Sequence, residues 1–539
     1  MKKKVLLILL VAIMTLSACG SSDEKATDGK KVFRIAKDTA VKTLDTSLAT
    51  DGMSFDVMEN FVDGLVDYDA EGKIMPRAAE SWEKSEDCLV YTFKIREDAV
   101  WSNGDPVTAN DFVFNWQRVV DPATAAEYAV LIIDAGIKNA EAVNTGELDK
   151  DELGVKALDD KTLEVTLEDT VPYFLEFITF PIFNPLNEKF FNEVGSEYAK
   201  SPEGLISNGP FVITEWTPGS SITLEKNETY VDADDVKIDG VEYKIISDYQ
   251  TAALEFDNGK LDYAKVSSDL VDRYENKGNL EKMALGYLWY IAPNQLNEDL
   301  ANADLRLALG HAVDRDHLVD DIMGDGSLAA EYIVPKGLAV GPDGEDFRKA
   351  GGTYQTYDID KANEHLEKAK AALNKDAFEL DLLIEDSEEA RTNAEAIQSD
   401  LQALEDVTVT ITTVPKSERL DEMREGDYDL GLTRWGPDYA DPYTYLGTLF
   451  TTGATYNQAR YSNADYDALI EKLGVGGELA DQPEARWEGF VEAEKILLEE
   501  AGVIPVWQSS EAFVVSDRVD GIELHVVGMP SYRNVTIEE

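Results

Sequence analysis

The stretch RWGPDYADPY, from Arg434 to Tyr443, contains a carboxylate that could bind a cation. It follows an apolar run at 428–432, which predicts a strand that ends near Trp435. A Gly-Pro turn then leads into Asp438. An aspartate in this position is either a turn residue that bonds the local backbone or a charge held at the edge of a cleft. The local pattern leaves both interpretations open.

Other residues that commonly perform chemistry are sparse. The histidines are scattered, without a metal-binding spacing, so we expect no zinc site: they are His311, His317, His365 and His525. The sequence contains no GxGxxG after a predicted strand, no P-loop and no GxSxG, and we expect no cofactor. A surface hydrolase that uses two carboxylates is the alternative from another functional class, because the separation of carboxylates cannot be read from a sequence.

The N-terminal segment has the pattern of an export signal. Three lysines precede an apolar run at 5–16, which is shorter than a membrane span and as long as the apolar part of a signal peptide. The small residues before Cys19 resemble a bacterial lipobox, which implies removal of residues 1–18 and a lipid on Cys19. A buried cysteine in a hydrophobic segment is the alternative, but the polar residues 19–30 indicate a tether. We therefore expect a lipoprotein on the extracellular face of the membrane of a Gram-positive bacterium.

Composition narrows the possible partners. The chain has 49 basic and 106 acidic residues, a net charge of −57, and loss of three signal-peptide lysines gives 46 − 106 = −60. Such a surface repels nucleic acid and anionic lipid headgroups. Cys88 has no partner if Cys19 carries lipid, so the fold has to be held by its own cores. A length of 539 residues predicts two or three domains.

Periodicity predicts an α/β protein. Thr108 is expected to cap a helix, with Asp111 returning to its amide. Alternation around Asp239-Gly240 predicts a strand pair joined by a turn at that dipeptide. From residue 358 to 411 a capped helix, a strand, a second helix and a second strand follow one another, which favours a partly parallel sheet.

Several motifs carry a family resemblance. Pro76–Glu83, Tyr91–Arg96 and above all Trp101–Val113 resemble the signature of the family 5 extracellular solute-binding proteins, the oligopeptide receptors of ABC importers. Asn208–Phe211 and the stretch from Arg306 to Arg315 fit the same family in the same order. The resemblance implies a two-lobed clamp of the periplasmic-binding-protein type with an extra inserted domain.

It also implies how the chain is divided. Lobe one would be discontinuous, the inserted domain would sit on it, and two crossing strands near 287–290 and 503–507 would form the hinge. The expected boundaries are 31–62, 190–286 and 508–539 for lobe one, 63–189 for the inserted domain and 287–507 for lobe two.

The resemblance further assigns a binding site. The family motif Trp-x-x-Asp-Tyr-x-x-Pro is matched from Trp435 to Pro442, which implies that Asp438 holds the α-ammonium group of a peptide. Arg434, Trp435 and Gly436 would pair with the peptide backbone, although Pro437 removes one amide donor there. Two other regions are implied as contacts, the first being Thr50, Asp51 and Gly52 and the second Tyr128.

The function implied is that of a receptor without catalytic activity. It would capture extracellular peptides as a monomer and deliver them to the permease and ATPase subunits of an ABC importer. Backbone pairing suits such a role, because all peptides share a backbone while their side chains differ. A peptide-pheromone receptor of the same fold stays open as an alternative, because a single side-chain pocket would decide between the two.

Overall fold

One sheet of eleven strands extends through the molecule, in a computed structural model that describes residues 29–70 and 72–538. Ten strands lie side by side, and Leu328–Ala329 pairs with one of them off this path. Their order is Val407–Val414, Phe378–Glu385, Leu430–Trp435, Leu280–Pro293, Ile504–Val515, Tyr263–Lys265, Val32–Lys37, Gly240–Ile245, Ser221–Lys226 and Phe211–Thr217. The α/β fold class is therefore confirmed. The signal peptide, Cys19 and most of the tether lie outside the described residues.

Two long strands belong to both halves of this sheet. Leu280–Pro293 and Ile504–Val515, which we call the crossing strands, pair antiparallel along their length. Ala284 lies opposite Ser510 and Leu288 opposite Gln508, so the first strand has two extra residues in a bulge at 285–287. The buried Gln508 amide stabilises the bulge by donating to the carbonyl oxygens of Leu285 and Lys336, both at 2.9 Å. The two expected strands are present and lie side by side, with an irregularity at 285–287; their role as a hinge remains a prediction.

The first half of the sheet is covered by two apolar clusters that include the helices Gly52–Glu59, Tyr249–Asp257 and Ser268–Glu275. The predicted hairpin at Asp239-Gly240 is wrong. Gly240 begins a strand that pairs parallel with Val32–Lys37 and antiparallel with Ser221–Lys226. Asp239 instead holds the start of the strand Val32–Lys37, since its carboxylate accepts from the Lys31 amide at 2.6 Å. Tertiary pairing overrides the turn preference of this dipeptide.

A separate four-stranded sheet carries the signature motif. Its order is Ala79–Lys84, Val90–Ile95, Thr162–Thr166 and Val155–Asp159, and the helix Ala109–Val120 packs in the same core. The predicted N-terminus of this helix is confirmed, because the Asp111 carboxylate accepts from the Thr108 amide at 2.8 Å. The indole of Trp101 donates to the same carboxylate at 3.1 Å, which joins the two halves of the motif. The division of the chain at 63 and 189 remains a prediction.

The second half of the sheet has three parallel strands, Phe378–Glu385, Val407–Val414 and Leu430–Trp435. Their carboxyl ends lie at one edge, the place where open α/β sheets bind ligands. Two apolar clusters cover the faces of this half. The covering helices are Ala303–Ala312, Arg315–His317, Ile359–Leu373, Glu388–Leu401, Lys416–Glu425, Tyr443–Phe450, Ala464–Leu473 and Pro483–Glu499.

The remaining elements are short. Besides several 3-10 turns, they are the helices Ala129–Asp134, Ala140–Asn144, Phe174–Phe177, Glu188–Val194 and Phe347–Ala350, the π-helical turn Leu318–Met323, and the strand pairs Val66–Tyr68 with Ile74–Pro76 and Val519–Asp520 with Thr536–Ile537. Across residues 29–70 and 72–538, no helix combines the length and apolar character needed to cross a membrane.

Candidate functional site

Asp438 has a carboxylate that does no local structural work. The residue is exposed, and within the described part of the chain no group donates a hydrogen bond to its side chain; only its amide is bonded, to the Thr444 hydroxyl at 3.3 Å. Asp441, three residues on, is the structural carboxylate, since it accepts from the Tyr443 amide at 2.9 Å and from Arg486 at 2.6 and 2.8 Å. The turn interpretation therefore fits Asp441, and Asp438 is left free to bind a ligand.

The surroundings of Asp438 disfavour its charge. Desolvation by the neighbouring protein, followed by the negative charge of Asp134, raises the pKa of Asp438 to about 6. The group is exposed to solvent, yet protein on several sides restricts the water around it. A cation that entered this position would oppose both effects on the pKa, because its charge would stabilise the ionised carboxylate.

Tyr128 borders the same space and packs against the core of the four-stranded sheet. Its ring stacks on Phe55 at a centroid distance of 6.0 Å. The pKa of its hydroxyl is raised, first by burial and then by the charges of neighbours that include Asp438 and Asp51. Asp438 and Asp51, two of the predicted contacts, thus each lie within electrostatic reach of the third, Tyr128. We call the solvent-accessible space that they border the cleft.

The 50–52 segment contributes less than expected. Asp51 caps the helix Gly52–Glu59, and its carboxylate accepts from the Ser54 amide at 3.0 Å and the Ser54 hydroxyl at 2.7 Å. Gly52 is exposed, and a Cβ built there meets no atom within 4 Å, so open space lies beside it. Thr50 is half-buried. The capping role of Asp51 is local, and the backbone beside Gly52 is what remains accessible.

Tyr287 is a cleft residue that the sequence did not single out as a contact. It lies in the bulge, its side chain is 46% exposed, and the pKa of Tyr128 is raised partly through its hydroxyl. A Cβ on Gly436 would lie 2.4 Å from the Tyr287 ring, so glycine is needed for this close approach. The guanidinium of Arg434 lies over the rings of Tyr287 and Trp289, at 5.5 and 5.0 Å. In the sequence, the only indication that Tyr287 lines the cleft was that an aromatic residue occurs in the predicted hinge.

Trp435 ends the strand with an unused donor. Its ring lies 4.9 Å from that of Tyr456, and its buried Nε1 makes no hydrogen bond within the described residues. Its carbonyl accepts from the Tyr445 hydroxyl at 3.0 Å. Pro437 packs against the bulge. Its ring lies so close to Gly286 that a Cβ on Gly286 would be only 2.5 Å from the Pro437 ring.

The strand Leu430–Trp435 has one open edge. The crossing strand Leu280–Pro293 pairs with it from Leu430 to Trp435, whereas Phe378–Glu385 pairs only with Leu430 and Gly431. Beyond Gly431, therefore, no described strand occupies its second side. Such an edge presents amide and carbonyl groups that an extended peptide can pair with as an added strand.

Residues 29–70 and 72–538 contain no group of three His, Cys, Asp or Glu side chains that could hold a metal ion. One ring nitrogen, Nδ1, of each of three histidines is engaged elsewhere: that of His311 with the Thr356 carbonyl, that of His365 with Asp304 and that of His317 with Asp321.

The chain is similar to known proteins over most of its length. It is 34% identical over 510 residues to the dipeptide-binding protein DppE of Bacillus subtilis, covering 94% of this chain and 92% of that protein. The substrate-binding domain of an oligopeptide ABC transporter from Bacillus anthracis is 40% identical, with a TM-score of 0.70 over 95% of this chain and 99% of that one. The pheromone receptor PrgZ is 31% identical, with a TM-score of 0.70 over 95% and 100%.

A more distant relative is closer in shape. The unliganded open form of the murein tripeptide binding protein MppA is only 26% identical, yet its TM-score is 0.84 over 94% of this chain and 98% of that one. Residues 73–457 match the family described as bacterial extracellular solute-binding proteins, family 5 Middle. The chain belongs to the family 5 bacterial extracellular solute-binding proteins.

Proposed function

We propose that this protein is an extracellular oligopeptide-binding receptor that delivers peptides to an ABC importer. The observation that carries the proposal is the free carboxylate of Asp438 at the end of a strand with an open edge. The names of the relatives, which include dipeptide- and oligopeptide-binding proteins, support it. The receptor acts as a monomer, hands its ligand to the permease and ATPase subunits, and leaves the ligand chemically unchanged. Mass spectrometry of peptides incubated with the folded protein tests the last point, because any cleavage product would favour the hydrolase instead.

Binding follows from three features of the cleft. The open edge of Leu430–Trp435 pairs with the peptide backbone, and Asp438 binds the α-ammonium group. Side chains of the peptide lie in spaces where water completes their polar contacts. Closure of the lobes then excludes bulk water, which strengthens the hydrogen bonds that have formed.

Backbone recognition predicts which peptide changes matter. We expect N-methylation at successive amides of a peptide to weaken binding at several positions, each by roughly 1 kcal/mol or more, because a donor is lost and a methyl group crowds the strand edge. Scrambling the sequence at constant length should change the affinity less than a single damaging methylation. Calorimetric titration measures both series. A receptor that tolerates methylation but fails on the loss of one side chain would be reading that side chain.

That last outcome would favour the pheromone alternative, for which the similarity to PrgZ is the specific observation. The two functions share a fold and differ in how much of the binding free energy depends on a single side chain. The same titrations therefore separate them.

We further propose that a lipid on Cys19 holds the receptor at the membrane. The other cysteine, Cys88, is buried and is unsuited to carry a lipid. Cys19→Ala is expected to leave the precursor without lipid, so that the protein is shed or stays unprocessed. Fractionation of cells into membrane and medium measures this. A Cys88→Ala variant is the control, and membrane retention of Cys19→Ala equal to that of the parent would contradict the proposal.

A further inference from the structure

Tyr439, the residue after Asp438, is buried away from the strand that leads to it. The strand Leu430–Trp435 belongs to the second half of the large sheet, yet the Tyr439 side chain lies in the core of the four-stranded sheet. Its ring stacks on that of Tyr173 at a centroid distance of 4.2 Å and an interplanar angle of 13°, and it lies 4.8 Å from that of Phe177. The segment around Asp438 therefore connects two parts of the chain that pack around different cores.

Further contacts fasten the same junction. Tyr443 also stacks on Tyr173, at a centroid distance of 5.9 Å. The guanidinium of Arg486 lies 5.8 Å from the centre of the Tyr173 ring. The Gly476 amide donates to the Thr170 carbonyl at 2.9 Å, which adds a backbone hydrogen bond between the same two parts. Tyr173 is therefore the ring on which three side chains from the second half of the sheet converge.

Asp438 lies between two neighbours that are held in place. Trp435, on one side, ends a paired strand, and its carbonyl accepts from the Tyr445 hydroxyl at 3.0 Å. Tyr439, on the other side, is fixed in the core of the four-stranded sheet. A binding group is kept in one orientation when the residues that flank it are themselves locked by packing. The position of the Asp438 carboxylate thus depends on both anchors.

The titratable groups that face the Asp438 carboxylate show where it is held. They are Asp134, at the end of a helix that packs in the core of the four-stranded sheet, the hydroxyl of Tyr128, and the hydroxyl of Tyr445. Desolvation, followed by the charge of Asp134, raises the pKa of Asp438 to about 6. A carboxylate that moved away from this core would leave Asp134 and gain water, so its pKa would fall. The pKa of Asp438 therefore reports its position.

We propose that Tyr173 is a positioning residue, which through its stack on Tyr439 holds Asp438 in the orientation that receives the ammonium group of a peptide. The inference rests on the proposed function and adds to it a buried residue from outside the motif. Stacked aromatic rings contribute stability beyond their buried area. The ammonium site is then built jointly by two parts of the chain, and its geometry depends on an aromatic contact as well as on the turn.

Tyr173→Ala and the milder Tyr173→Leu test this role on the protein without peptide. Carbon-13 labelling of aspartate carboxyls allows the pKa of Asp438 to be followed by NMR, with its signal assigned by loss in Asp438→Asn. Removal of the ring should lower the pKa of Asp438 from about 6 toward about 4, the value of a solvated aspartate. Tyr173→Phe, which retains the ring, should restore the value of the parent.

The same variants are titrated calorimetrically with trialanine and with N-acetyl-trialanine. The parent should bind the free peptide more tightly, since only its ammonium group pairs with Asp438. Tyr173→Ala and Tyr173→Leu should reduce this preference at least about tenfold, because the charge pair is no longer aligned. Tyr173→Phe should retain the preference. A role of Tyr173 in stability alone would change the two affinities equally.

Tyr91→Leu is the matched control. Tyr91 is buried in the same core as Tyr173, with 6% of its surface exposed against 4%, and its ring neighbours Phe93 and Phe174 lie outside the motif. It should lower the stability and leave the pKa of Asp438 unchanged. An unchanged pKa in Tyr173→Leu, or an equal fall in Tyr91→Leu, would overturn the positioning role. If the pKa falls as expected but no peptide binds the parent, the positioning role stands and the proposed function is wrong.

Discussion

Asp438→Asn is expected to weaken binding of a peptide with a free amino terminus by about 2–5 kcal/mol, the range for removing one member of a buried, hydrogen-bonded charge pair. In the closed cleft the ammonium group would then be the unpaired ion. N-acetylation of the peptide should have a similar effect on the parent, because Asp438 would then be the charge without a partner. The two changes combined should lose less than their sum, since neither charge opposes a neutral group.

Calorimetry of the four combinations gives this coupling directly. Asp134→Asn serves as the control, because it removes a nearby negative charge that raises the pKa of Asp438 without being a partner proposed for the ligand. We expect it to change the affinity far less than Asp438→Asn does. A coupling energy near zero would mean that the amino terminus is held elsewhere.

The pH dependence of the same titration provides a second readout. The pKa of Asp438 is raised to about 6, so the group is ionised above that pH and protonated below it. An ammonium ligand binds the ionised form, and below pH 6 binding must displace a proton. The affinity for a free peptide should therefore fall about tenfold per pH unit below pH 6, while that for the acetylated peptide should not. A parallel decrease for both peptides would contradict the assignment.

Arg533→Ala is expected to lower the free energy of unfolding by about 3–5 kcal/mol, the range for leaving a buried charge uncompensated. The guanidinium of Arg533 lies 3.3, 3.3 and 3.4 Å from the carboxylates of Glu59, Asp63 and Asp67. Its positive charge compensates the negative charge of these three carboxyl groups. Burial, followed by the charge of Asp67, raises the pKa of Glu59. Removing it leaves Asp63 and Asp67 charged in the interior, with Arg77 as the remaining cation at Asp67.

Urea denaturation measures the change, and the exposed pair of Lys30 and Glu225 provides the control. Lys30→Ala should change the free energy of unfolding by less than about 1 kcal/mol, because exposed ion pairs contribute little. Arg533→Lys should fall between the two, since it keeps the charge but not the fork that reaches three carboxylates. An Arg533→Ala variant as stable as Lys30→Ala would contradict this expectation. It would show that the three carboxyl groups rearrange or take up protons at a small cost in free energy.

Local rules predicted those features that depend on neighbouring residues in the chain. The helix start at Thr108 and Asp111 is an example, because both partners lie within one helical turn. The hairpin turn predicted at Asp239-Gly240 is absent, because the strand that follows pairs instead with Val32–Lys37, which is distant in sequence, and with Ser221–Lys226. In the site, the motif around Trp435 identified Asp438, but the contrast with Asp441 required the position of Arg486. Neither the open edge beyond Gly431 nor the exposure of Tyr287 can be read from the sequence, because both depend on where other strands end.

The bulge at 285–287 has a mechanical consequence. Gly286 lies against Pro437 and Tyr287 against Gly436, so the bulge and the segment proposed to hold the ligand are in direct contact. The Tyr445 hydroxyl joins them, within hydrogen-bonding distance of the carbonyls of Gly286 and Trp435. The observed affinity of a receptor that rests open equals that of its closed form multiplied by the closed fraction. Changes at Leu285 or Gly286 that shift only the closed fraction would therefore scale the affinity for every peptide by one factor and leave their ranking unaltered, so overall affinity and selectivity can vary separately.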